Sequence, residues 1–501
     1  MDDLEVIELG RSLKDGSSVT LTIDERRQGT YIIGTTGTGK SNLLKHIVYQ
    51  DMDQDEKHGL CVLDPHGDLI DDLLKIVPEK RINDVILFDP ADFEYPFGLN
   101  LLDCDRDDPQ QVTWVVSTII GTLERLSTSW GPRLEHVLRH SLMTIMELKE
   151  STFLELTLLL TNESYREPTL ANIKDDYLKE FWKGFPRSER LRYELTSSTL
   201  NKISPFITDR NMRNIIGQSH NSFNMKEIMD EGKILLVNLS KGDLGEANSS
   251  ILGAVLINSI LMAALQRRDK PLKKRIPFHI IADEYQNFAT ESFAVLQSEA
   301  RKYAVDVVVA HQFRDQLDYL NKGSTLNVGN IIIFRVTGRD SYELASQFDN
   351  TPPSADTRVE PVYRGYEYQG LDLFIETKLN TGEGKLYQEI ELPRRPYNDV
   401  EAERANQLSI QSDYQASTRL IYVPDSRNEE GSPYLIEHNF KTINFEEDID
   451  LDDALVEEKI RQIKEISHTK GTPREIIEKD IKRRTFGQID TDFDIPAAEK
   501  I

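Results

Sequence analysis

Short, continuous apolar runs alternate with longer segments of helical periodicity along most of the chain. The runs are rich in valine and isoleucine, which is typical of parallel strands that helices cover on both faces. The runs that fit core strands are Thr30–Ile33, Leu60–Leu63, Asp84–Phe88, Lys233–Ser240, Phe278–Glu284, Val305–Gln312 and Asn330–Gly338. The alternation therefore predicts an α/β fold with a mainly parallel sheet.

This rhythm breaks twice, and the breaks predict the domain organisation. From about residue 106 the pattern becomes long helical segments with few strand signals, which we interpret as an all-α domain inserted into the α/β core. Beyond about residue 398 the sequence is polar, with an acidic stretch, FEEDIDLDDALVEE, and two amphipathic segments that suit docked helices. The predicted divisions are a small β element (1–28), the first part of the core (29–105), the all-α inserted domain (106–225), the second part of the core (226–398) and a polar, acidic and helical C-terminal extension (399–501).

Composition places the chain among folded proteins and limits how it can bind nucleic acid. Of 501 residues, 39% are hydrophobic and 29% are charged, which excludes a disordered chain. The formal net charge of −25 argues against coating nucleic acid by bulk electrostatics, so any such contact needs local basic loops, for instance inside a ring. The two cysteines, Cys61 and Cys104, are too few for a disulfide framework and lack metal-site spacing, which predicts a reducing compartment.

One apolar segment comes close to membrane-spanning length. Ile251–Leu265 is interrupted by Asn258 and Ser259, and it is shorter than the roughly twenty residues that a bilayer requires. We therefore expect a helix that is buried on all sides. The N-terminal sequence MDDLEVIELG has no basic region followed by an apolar stretch, so no signal peptide is predicted. These features predict a cytoplasmic protein with no membrane segment of its own.

The stretch YIIGTTGTGKSNLL carries the clearest chemical signal. Its G-x-x-x-x-G-K-S spacing, between an apolar run and a helix-patterned segment, is typical of a P-loop. In such a loop the backbone amides surround the phosphates, the lysine reaches the β and γ phosphates, and the serine hydroxyl ligates Mg²⁺. The predicted nucleotide-binding residues are Gly34, Thr35, Thr36, Gly37, Thr38, Gly39, Lys40, Ser41 and Asn42. The loop alone fits a kinase, a GTPase or a transporter as well as an ATPase.

Polar residues that end two later apolar runs fit the second half of such a site. Asp283, at the end of FHIIADE, is the predicted Mg²⁺ carboxylate, and Glu284 beside it is suited to polarise the attacking water. Gln312, at the end of VDVVVAHQ, is predicted to sense the γ phosphate. A glutamate next to the metal carboxylate predicts a hydrolase rather than a passive nucleotide binder.

Two arginines are candidates for stabilising the charge that develops on the transferred phosphoryl group. In P-loop enzymes this arginine is often supplied by a neighbouring subunit. Arg301 in SEARKYAVD is the first candidate and Arg335 in IIIFRV is the second. A surface ion pair is an equally good interpretation of either residue. His66 and His311 are interpreted as structural residues.

Taken together, these motifs resemble the P-loop ATPases of the HerA/FtsK group, which have an additional strand and a catalytic glutamate. Within that group the chain is most similar to the TraG/TraD class of type IV secretion and conjugation coupling proteins. The resemblance covers roughly residues 34–348. In family order it rests on GTTGTGKSNLL, VLDPHGDL, SWGPRLEHVLRHSL, EGKILLVNLSKGDLGE, HIIADEYQNF, SEARKYAVDVVVAHQF and NVGNIIIFRVTGRDSYELASQF, with PRRP as the last shared stretch.

This resemblance implies a RecA-like ATPase core that uses ATP and Mg²⁺. The catalytic residues that it implies are Lys40, Glu284, Gln312 and Arg301, with Ser41 and Asp283 on the metal. It also implies a homo-hexameric ring that has ATP sites between subunits and DNA in a central channel. Lys241 and Gly242, after the run KILLVNLS, are candidates for a DNA-facing loop.

Two features depart from the family pattern. Membrane-anchored coupling proteins begin with transmembrane helices, whereas this chain reaches its P-loop within about forty residues, and its C-terminal hundred residues have no counterpart that the motifs identify. The leading hypothesis is an ATP-driven DNA translocase that acts with a nuclease or a secretion partner. Two alternatives stay open: a nucleotide-gated scaffold of a defence or mobile-element complex that recruits such partners, and an ATPase that moves protein substrates.

Overall fold

The computed structural model describes residues 5–350, 397–427, 429–444 and 452–486, and four short strands between residues 357 and 391. The chain forms two compact units, Met1–Phe334 with Ser412–Ile501, and Arg335–Gln411. The strands are β1 (Val6–Ser12), β2 (Ser18–Thr22), β3 (Thr30–Ile33), β4 (Gly59–Asp64), β5 (Val85–Phe88), β6 (Ile234–Asn238), β7 (Phe278–Ala282), β8 (Val305–His311), β9 (Asn330–Ile333), β10 (Thr357–Pro361), β11 (Tyr366–Tyr368), β12 (Phe374–Glu376), β13 (Tyr387–Glu391), β14 (Gln415–Tyr422) and β15 (Tyr434–Lys441).

The helices follow the same order along the chain. They are α1 (Ile23–Arg26), α2 (Lys40–Asp53), α3 (Asp68–Ile76), α4 (Pro109–Arg125), α5 (Pro132–Met146), α6 (Glu155–Thr161), α7 (Glu163–Ala171), α8 (Asp176–Lys183), α9 (Glu189–Thr208), α10 (Arg210–Ile216), α11 (Met225–Asp230), α12 (Lys241–Leu244), α13 (Glu246–Gln266), α14 (Glu291–Glu299), α15 (Tyr319–Ser324), α16 (Arg339–Ala345), α17 (Tyr397–Ile410), α18 (Asp453–His468) and α19 (Arg474–Phe486).

An eleven-stranded sheet runs through the first unit in the order β2-β1-β15-β14-β9-β3-β8-β7-β4-β6-β5. From β9 to β5 every neighbouring pair is parallel, which confirms the predicted mainly parallel α/β sheet. Strand β3 lies between β8 and β9, so that Tyr31 is opposite Val309 on one side and Ile331 on the other. Because parallel strands end at one edge of a sheet, the residues that follow β3, β7 and β8 come together there.

The continuous apolar composition of these strands reflects their burial. Every residue of β3, β4, β7 and β8 is buried. Apolar side chains on both faces of a strand lose their contact with water only where helices cover both faces, which is the usual arrangement in parallel sheets. Cys61 lies in β4 and is fully buried, as a core residue.

The other four strands extend the sheet in antiparallel fashion. Strand β14 pairs with β9, β15 with β14, β1 with β15 and β2 with β1. The small N-terminal β element and a hairpin of the predicted C-terminal extension therefore belong to the same sheet as the strand that precedes the P-loop. The domain boundaries drawn from the sequence stay predictions.

Helices α4 to α11 lie between β5 and β6 in sequence, in the region predicted to be an all-α insertion. Helix α4 packs on α13, where Thr118 Oγ donates a hydrogen bond to Asn258 Oδ1 at 3.4 Å. The predicted burial of Ile251–Leu265 is confirmed, since nearly all of its side chains are buried within α13. In the described part of the chain one helix, Glu246–Asp269, is long and apolar enough to cross a membrane, and 83% of its apolar window is buried inside the protein.

The two amphipathic C-terminal helices dock on this chain. Helix α18 lies on β5 and α3, and Ser467 Oγ accepts a hydrogen bond from the amide of Leu87 at 2.9 Å. Helix α19 is held to the helical region by ion pairs of Arg484 with Glu155 and of Glu478 with Arg210. Residues 445–451 of the acidic stretch and the PRRP sequence lie outside the described residues.

The second unit contains α16 and α17, which pack on each other. Its four strands form two antiparallel pairs, β10 with β13 and β11 with β12.

Candidate active site

The P-loop connects β3 to α2 and has the backbone shape that its glycines predict. Gly37 and Gly39 have φ angles of 78° and 112°, which are strained for any residue with a side chain. A Cβ at Gly39 would also lie 3.1 Å from Tyr414, which is a tight contact that adds to the strain of a side chain there. Thr38 Oγ donates to the carbonyl of Thr35 at 2.7 Å and closes the loop on itself.

Lys40 is buried in this loop as the first residue of α2. Its ammonium donates to the carbonyls of Gly34 at 2.6 Å and of Thr35 at 3.2 Å. Burial lowers the pKa of Lys40, and the carboxylates of Glu284 and Asp283 oppose that change. The two halves of the site that the sequence predicts are therefore close enough to interact electrostatically.

The remaining loop residues differ in their exposure. Thr36 and the hydroxyl-bearing Ser41 are exposed, so both are accessible to a ligand. Asn42 instead directs its side-chain amide to the carbonyl of Ile443 at 2.9 Å, which ties the first turn of α2 to the chain after β15.

Asp283 and Glu284 follow β7 at the same edge of the sheet. Asp283 is 7% exposed, and burial together with the neighbouring Glu284 carboxylate raises the pKa of Asp283 to about 6. A carboxylate that is costly to ionise without a cation nearby is well suited to hold one. Its Oδ1 accepts the amide of Glu284 at 2.9 Å, which fixes its orientation.

Glu284 is held in place by its own backbone and by two amide side chains. Its φ of 42° and ψ of 49° lie in the left-handed region, where such strain is commonly found at functional positions. Gln312 Nε2 donates to Glu284 Oε1 at 2.8 Å, and Gln286 Nε2 donates to Oε2 at 2.7 Å. The structure thus brings the predicted Gln312 directly to the predicted catalytic carboxylate.

Comparison with known families decides which kind of P-loop protein this is. Residues 15–347 match the family described as the type IV secretion-system coupling protein DNA-binding domain. The chain belongs to this coupling-protein family. A comparison with curated protein sequences finds no match.

Solved structures of the plasmid coupling protein TrwB have a fold similar to that of this chain. Unbound TrwBdeltaN70 aligns with a TM-score of 0.52 and 14% identity over 88% of this chain and 89% of that one. The TrwB complex with the GTP analogue GDPNP aligns with a TM-score of 0.53 and 14% identity, over 89% of this chain and 90% of that one. The TrwB complex with ADP and Mg²⁺ aligns with a TM-score of 0.52 and 14% identity, over 88% of this chain and 90% of that one. At such low identity the likeness shows the fold alone.

The predicted arginines lie away from the loop or outside its unit. Arg301 Nη1 donates to Gln28 Oε1 at 2.7 Å, beside the amino ends of β3 and β8. In its own chain Arg301 therefore lies at the opposite edge of the sheet from Lys40, and its role towards a neighbouring subunit stays a prediction. Arg335 belongs to the second unit, where Nη1 donates to the carbonyl of Gln411 at 3.2 Å.

The predicted DNA-facing loop begins α12, near the turn that follows β7. Lys241 Nζ donates to Asn287 Oδ1 at 2.6 Å, and its backbone amide donates to the carbonyl of Pro65. Asn287 in turn donates to the backbone carbonyl of Glu284 at 2.7 Å. Lys241 and Gly242 stay candidates for a DNA contact, and a chain of hydrogen bonds connects Lys241 to the Glu284 backbone.

The two histidines interpreted as structural differ in their surroundings. His311 ends β8 with its ring against Tyr31, whose hydroxyl is 2.7 Å from Nε2. Burial, with a smaller contribution from Arg314, lowers the pKa of His311 to about 3, so it is neutral in the folded protein. His66 is exposed, and its backbone amide bonds to Asp64.

Sequence reasoning missed two residues at this edge of the family fold. Gln286 lies within the motif HIIADEYQNF, and its contact with Glu284 depends on the left-handed turn there. Asp64 ends β4 and accepts the amides of His66 and Leu69, at 2.8 and 2.9 Å. Burial raises the pKa of Asp64 although these amides oppose the change, and Asp64 in turn adds to the raised pKa of Asp283.

Proposed function

We propose that this chain is an ATP-hydrolysing DNA translocase that acts as a homo-hexameric ring. The observation that carries the proposal is the position of Glu284, a strained, buried carboxylate fixed by Gln312 and Gln286 beside Asp283. A protein that only binds nucleotide has no need to orient a carboxylate at this point. The solved TrwB complexes with GDPNP and with ADP and Mg²⁺ support nucleotide use by this fold.

The residues present fit a magnesium nucleotide. The open backbone at Gly37 leaves space for an anion, since a side chain there would meet no atom within 4 Å. Lys40 would exchange its bonds to loop carbonyls for the β and γ phosphates, and Ser41 and Asp283 would hold the cation. Bound Mg²⁺ would neutralise part of the charge that develops on the phosphates. Glu284 would accept the proton of the attacking water.

Gln312 connects this chemistry to movement. Its side-chain amide is the donor to Glu284, so a γ phosphate that competes for this amide changes the orientation of both groups. Neighbouring hydrogen bonds link Glu284 through Asn287 to Lys241, the predicted DNA-facing residue. We propose that loss of the γ phosphate is transmitted along this route to DNA in the channel.

The ring is proposed from the family and from the placement of Arg301. An arginine at the far edge of its own sheet can reach phosphates only in another copy of the chain. The partner that processes or exports the DNA, a nuclease or a secretion component, is part of the same proposal. We place the protein in the cytoplasm, because its two cysteines are free thiols.

ATP hydrolysis by the full chain, with and without DNA, tests the proposal. We expect DNA to stimulate hydrolysis by the wild type, and Glu284→Gln to lower kcat by about 100-fold or more while nucleotide binding is kept. Lys40→Ala should remove binding and hydrolysis together. Equal, DNA-independent rates in the wild type and Glu284→Gln would contradict the proposal. Hydrolysis that requires Glu284 but is not stimulated by DNA would favour the alternative of an ATPase that moves protein substrates.

A further inference from the structure

A tyrosine with an unusual backbone lies against the P-loop. Four described residues other than glycine have a clearly positive φ: Glu150, Glu284, Ala304 and Tyr414. For a bulky residue such as Tyr414, whose φ is 63°, this conformation is a costly exception. Glu284 and Tyr414, two of the four, border the nucleotide site. Strain of this kind persists where the surrounding structure fixes it, often at a ligand site.

The topology of the sheet brings Tyr414 to this place. Tyr414 directly precedes β14, which is antiparallel to β9, so β14 begins at the edge where β3 ends. The backbone amide of Tyr414 donates to the carbonyl of Thr38 at 2.8 Å. Its ring covers the backbone of Gly39, since an added Cβ there would be 3.1 Å from Tyr414 Cδ1.

The chain on the other side of the hairpin holds Tyr414 in position. Thr442, which follows β15, donates its amide to the carbonyl of Tyr414 at 2.9 Å. The next residue, Ile443, accepts the side-chain amide of Asn42 from the first turn of α2 at 2.9 Å. Tyr414 is therefore fixed through its amide and its carbonyl, and the loop and helix that hold the phosphates are part of the same assembly.

Tyr414 as a whole nevertheless remains 46% exposed. A rigid aromatic ring that is anchored beside a phosphate loop, with much of its surface open, is suited to stack on the flat face of a nucleobase. We propose that Tyr414 forms a base-binding subsite, which stacks on the purine of the nucleoside triphosphate held by the P-loop. Nothing in the sequence motifs assigns this role. The inference rests on the proposed nucleotide site.

Stacking predicts a particular specificity. Every base has a π face, so a stacked tyrosine increases affinity for ATP and GTP alike and adds nothing for a ligand that lacks a base. Inorganic tripolyphosphate is such a ligand, and it presents the same phosphates to the loop. Comparing the nucleotide with tripolyphosphate therefore separates a base contact from a structural contribution to the loop.

The experiment measures dissociation constants of the full-length chain for MgATP, MgGTP and magnesium tripolyphosphate. We expect Tyr414→Ala to weaken the binding of both nucleotides by about ten-fold and to leave the binding of tripolyphosphate unchanged. Tyr414→Phe should bind all three ligands as the wild type does. Tyr434→Ala is the matched control, because Tyr434 is 52% exposed at the far end of the same hairpin. It should change none of the three constants.

Two outcomes would overturn the inference. Unchanged binding of both nucleotides by Tyr414→Ala shows that the ring does not contact the base. An equal loss for nucleotides and tripolyphosphate shows that Tyr414 only shapes the loop. Either result leaves the proposed nucleotide site intact as long as Lys40→Ala abolishes MgATP binding. If the wild type itself binds no MgATP, the proposed function and the inference fail together.

Discussion

At the scale of single residues, two buried aspartates, one just after β7 and one in β8, have pKa values that are shifted in opposite directions. Burial and Glu284 raise the pKa of Asp283 to about 6. Asp306 in β8 is also buried, but His279 and Arg26 outweigh that burial and lower the pKa of Asp306 to about 2. His279 Nδ1 lies 2.5 Å from Asp306 Oδ1. Asp306 is therefore a paired structural charge, whereas burial and the Glu284 carboxylate oppose the charged form of Asp283.

This contrast predicts opposite effects of removing each charge. Asp283→Asn should stabilise the nucleotide-free, Mg²⁺-free protein at pH 7 by at most about 3 kcal/mol, because the raised pKa makes ionisation unfavourable. The advantage should shrink as the pH falls from about 6 to about 4, where wild-type Asp283 becomes protonated. Asp306→Asn should destabilise the folded protein at pH 7. The lowered pKa of Asp306 means that its charge stabilises the fold at any pH above the ordinary aspartate pKa, and that this stabilisation is lost as the pH falls towards about 2.

Chemical denaturation of the three proteins at pH 4 and pH 7 measures both effects. Magnesium-dependent ATP hydrolysis should be lost in Asp283→Asn despite its greater stability. Destabilisation by Asp283→Asn at pH 7, with Asp306→Asn neutral, would contradict the assignment of the two roles.

At the scale of elements, the helical region is hydrogen-bonded to the loop that follows β7. Arg125 is the last residue of α4, and its guanidinium donates to the carbonyls of Ala289 and Asn287, each at 2.9 Å. Asn287 also bonds to the backbone of Glu284. Helix α4 is therefore connected to the backbone of Glu284 through the carbonyl and the side chain of Asn287.

We expect Arg125→Ala to lower kcat for ATP hydrolysis by about ten-fold with little change in MgATP affinity, since it loosens the Glu284 loop and leaves Lys40 untouched. Arg139→Ala is the control, because Arg139 on α5 makes only a half-exposed ion pair with Glu135 within its own helix. Steady-state kinetics and equilibrium binding separate the two quantities. A loss of MgATP affinity with kcat unchanged would show that the contact does not act on Glu284.

The elements that the sequence predicts well are those with a continuous apolar composition. The buried parallel strands and the helix α13 appear as continuous apolar runs, and the P-loop and Asp283–Glu284 follow two of those strands directly. Strands β14 and β15 were not predicted, because both lie in a polar region, β14 being half-buried and β15 mostly exposed. Strand β14 also pairs with β9, which is far away in sequence. Gln286 and Tyr414 were missed for a related reason: both contacts depend on left-handed backbone turns that composition does not reveal.

At the scale of the whole molecule, the net charge of −25 limits where DNA can bind. A polyanion approaching such a surface is repelled, so productive contact requires local basic groups, for instance in a channel. The proposed ring would provide that channel and would also place Arg301 of one subunit at the nucleotide of the next. Both consequences follow from one assembly, which is why the ring is proposed together with the motor.

The trans arginine can be tested by mixing inactive variants. Arg301→Ala and Lys40→Ala should each abolish most hydrolysis alone, and a mixture should regain part of it, because some interfaces then combine an intact Lys40 with an intact Arg301. ATPase rates across mixing ratios measure this recovery, with a mixture of Lys40→Ala and Glu284→Gln as the control. No recovery at any ratio, in rings that demonstrably contain both variants, would place Arg301 outside the site.

The central claim is that hydrolysis at Glu284 moves DNA, and displacement of a tightly bound block from the end of a DNA molecule measures this directly. The full chain is given ATP and end-biotinylated DNA, single- or double-stranded, that carries streptavidin. We predict that the wild type displaces streptavidin from at least one of the two DNA forms only with ATP, and that Glu284→Gln binds ATP and DNA but displaces none. Hydrolysis by the wild type without displacement from either DNA, or displacement by Glu284→Gln equal to that of the wild type, would contradict the account.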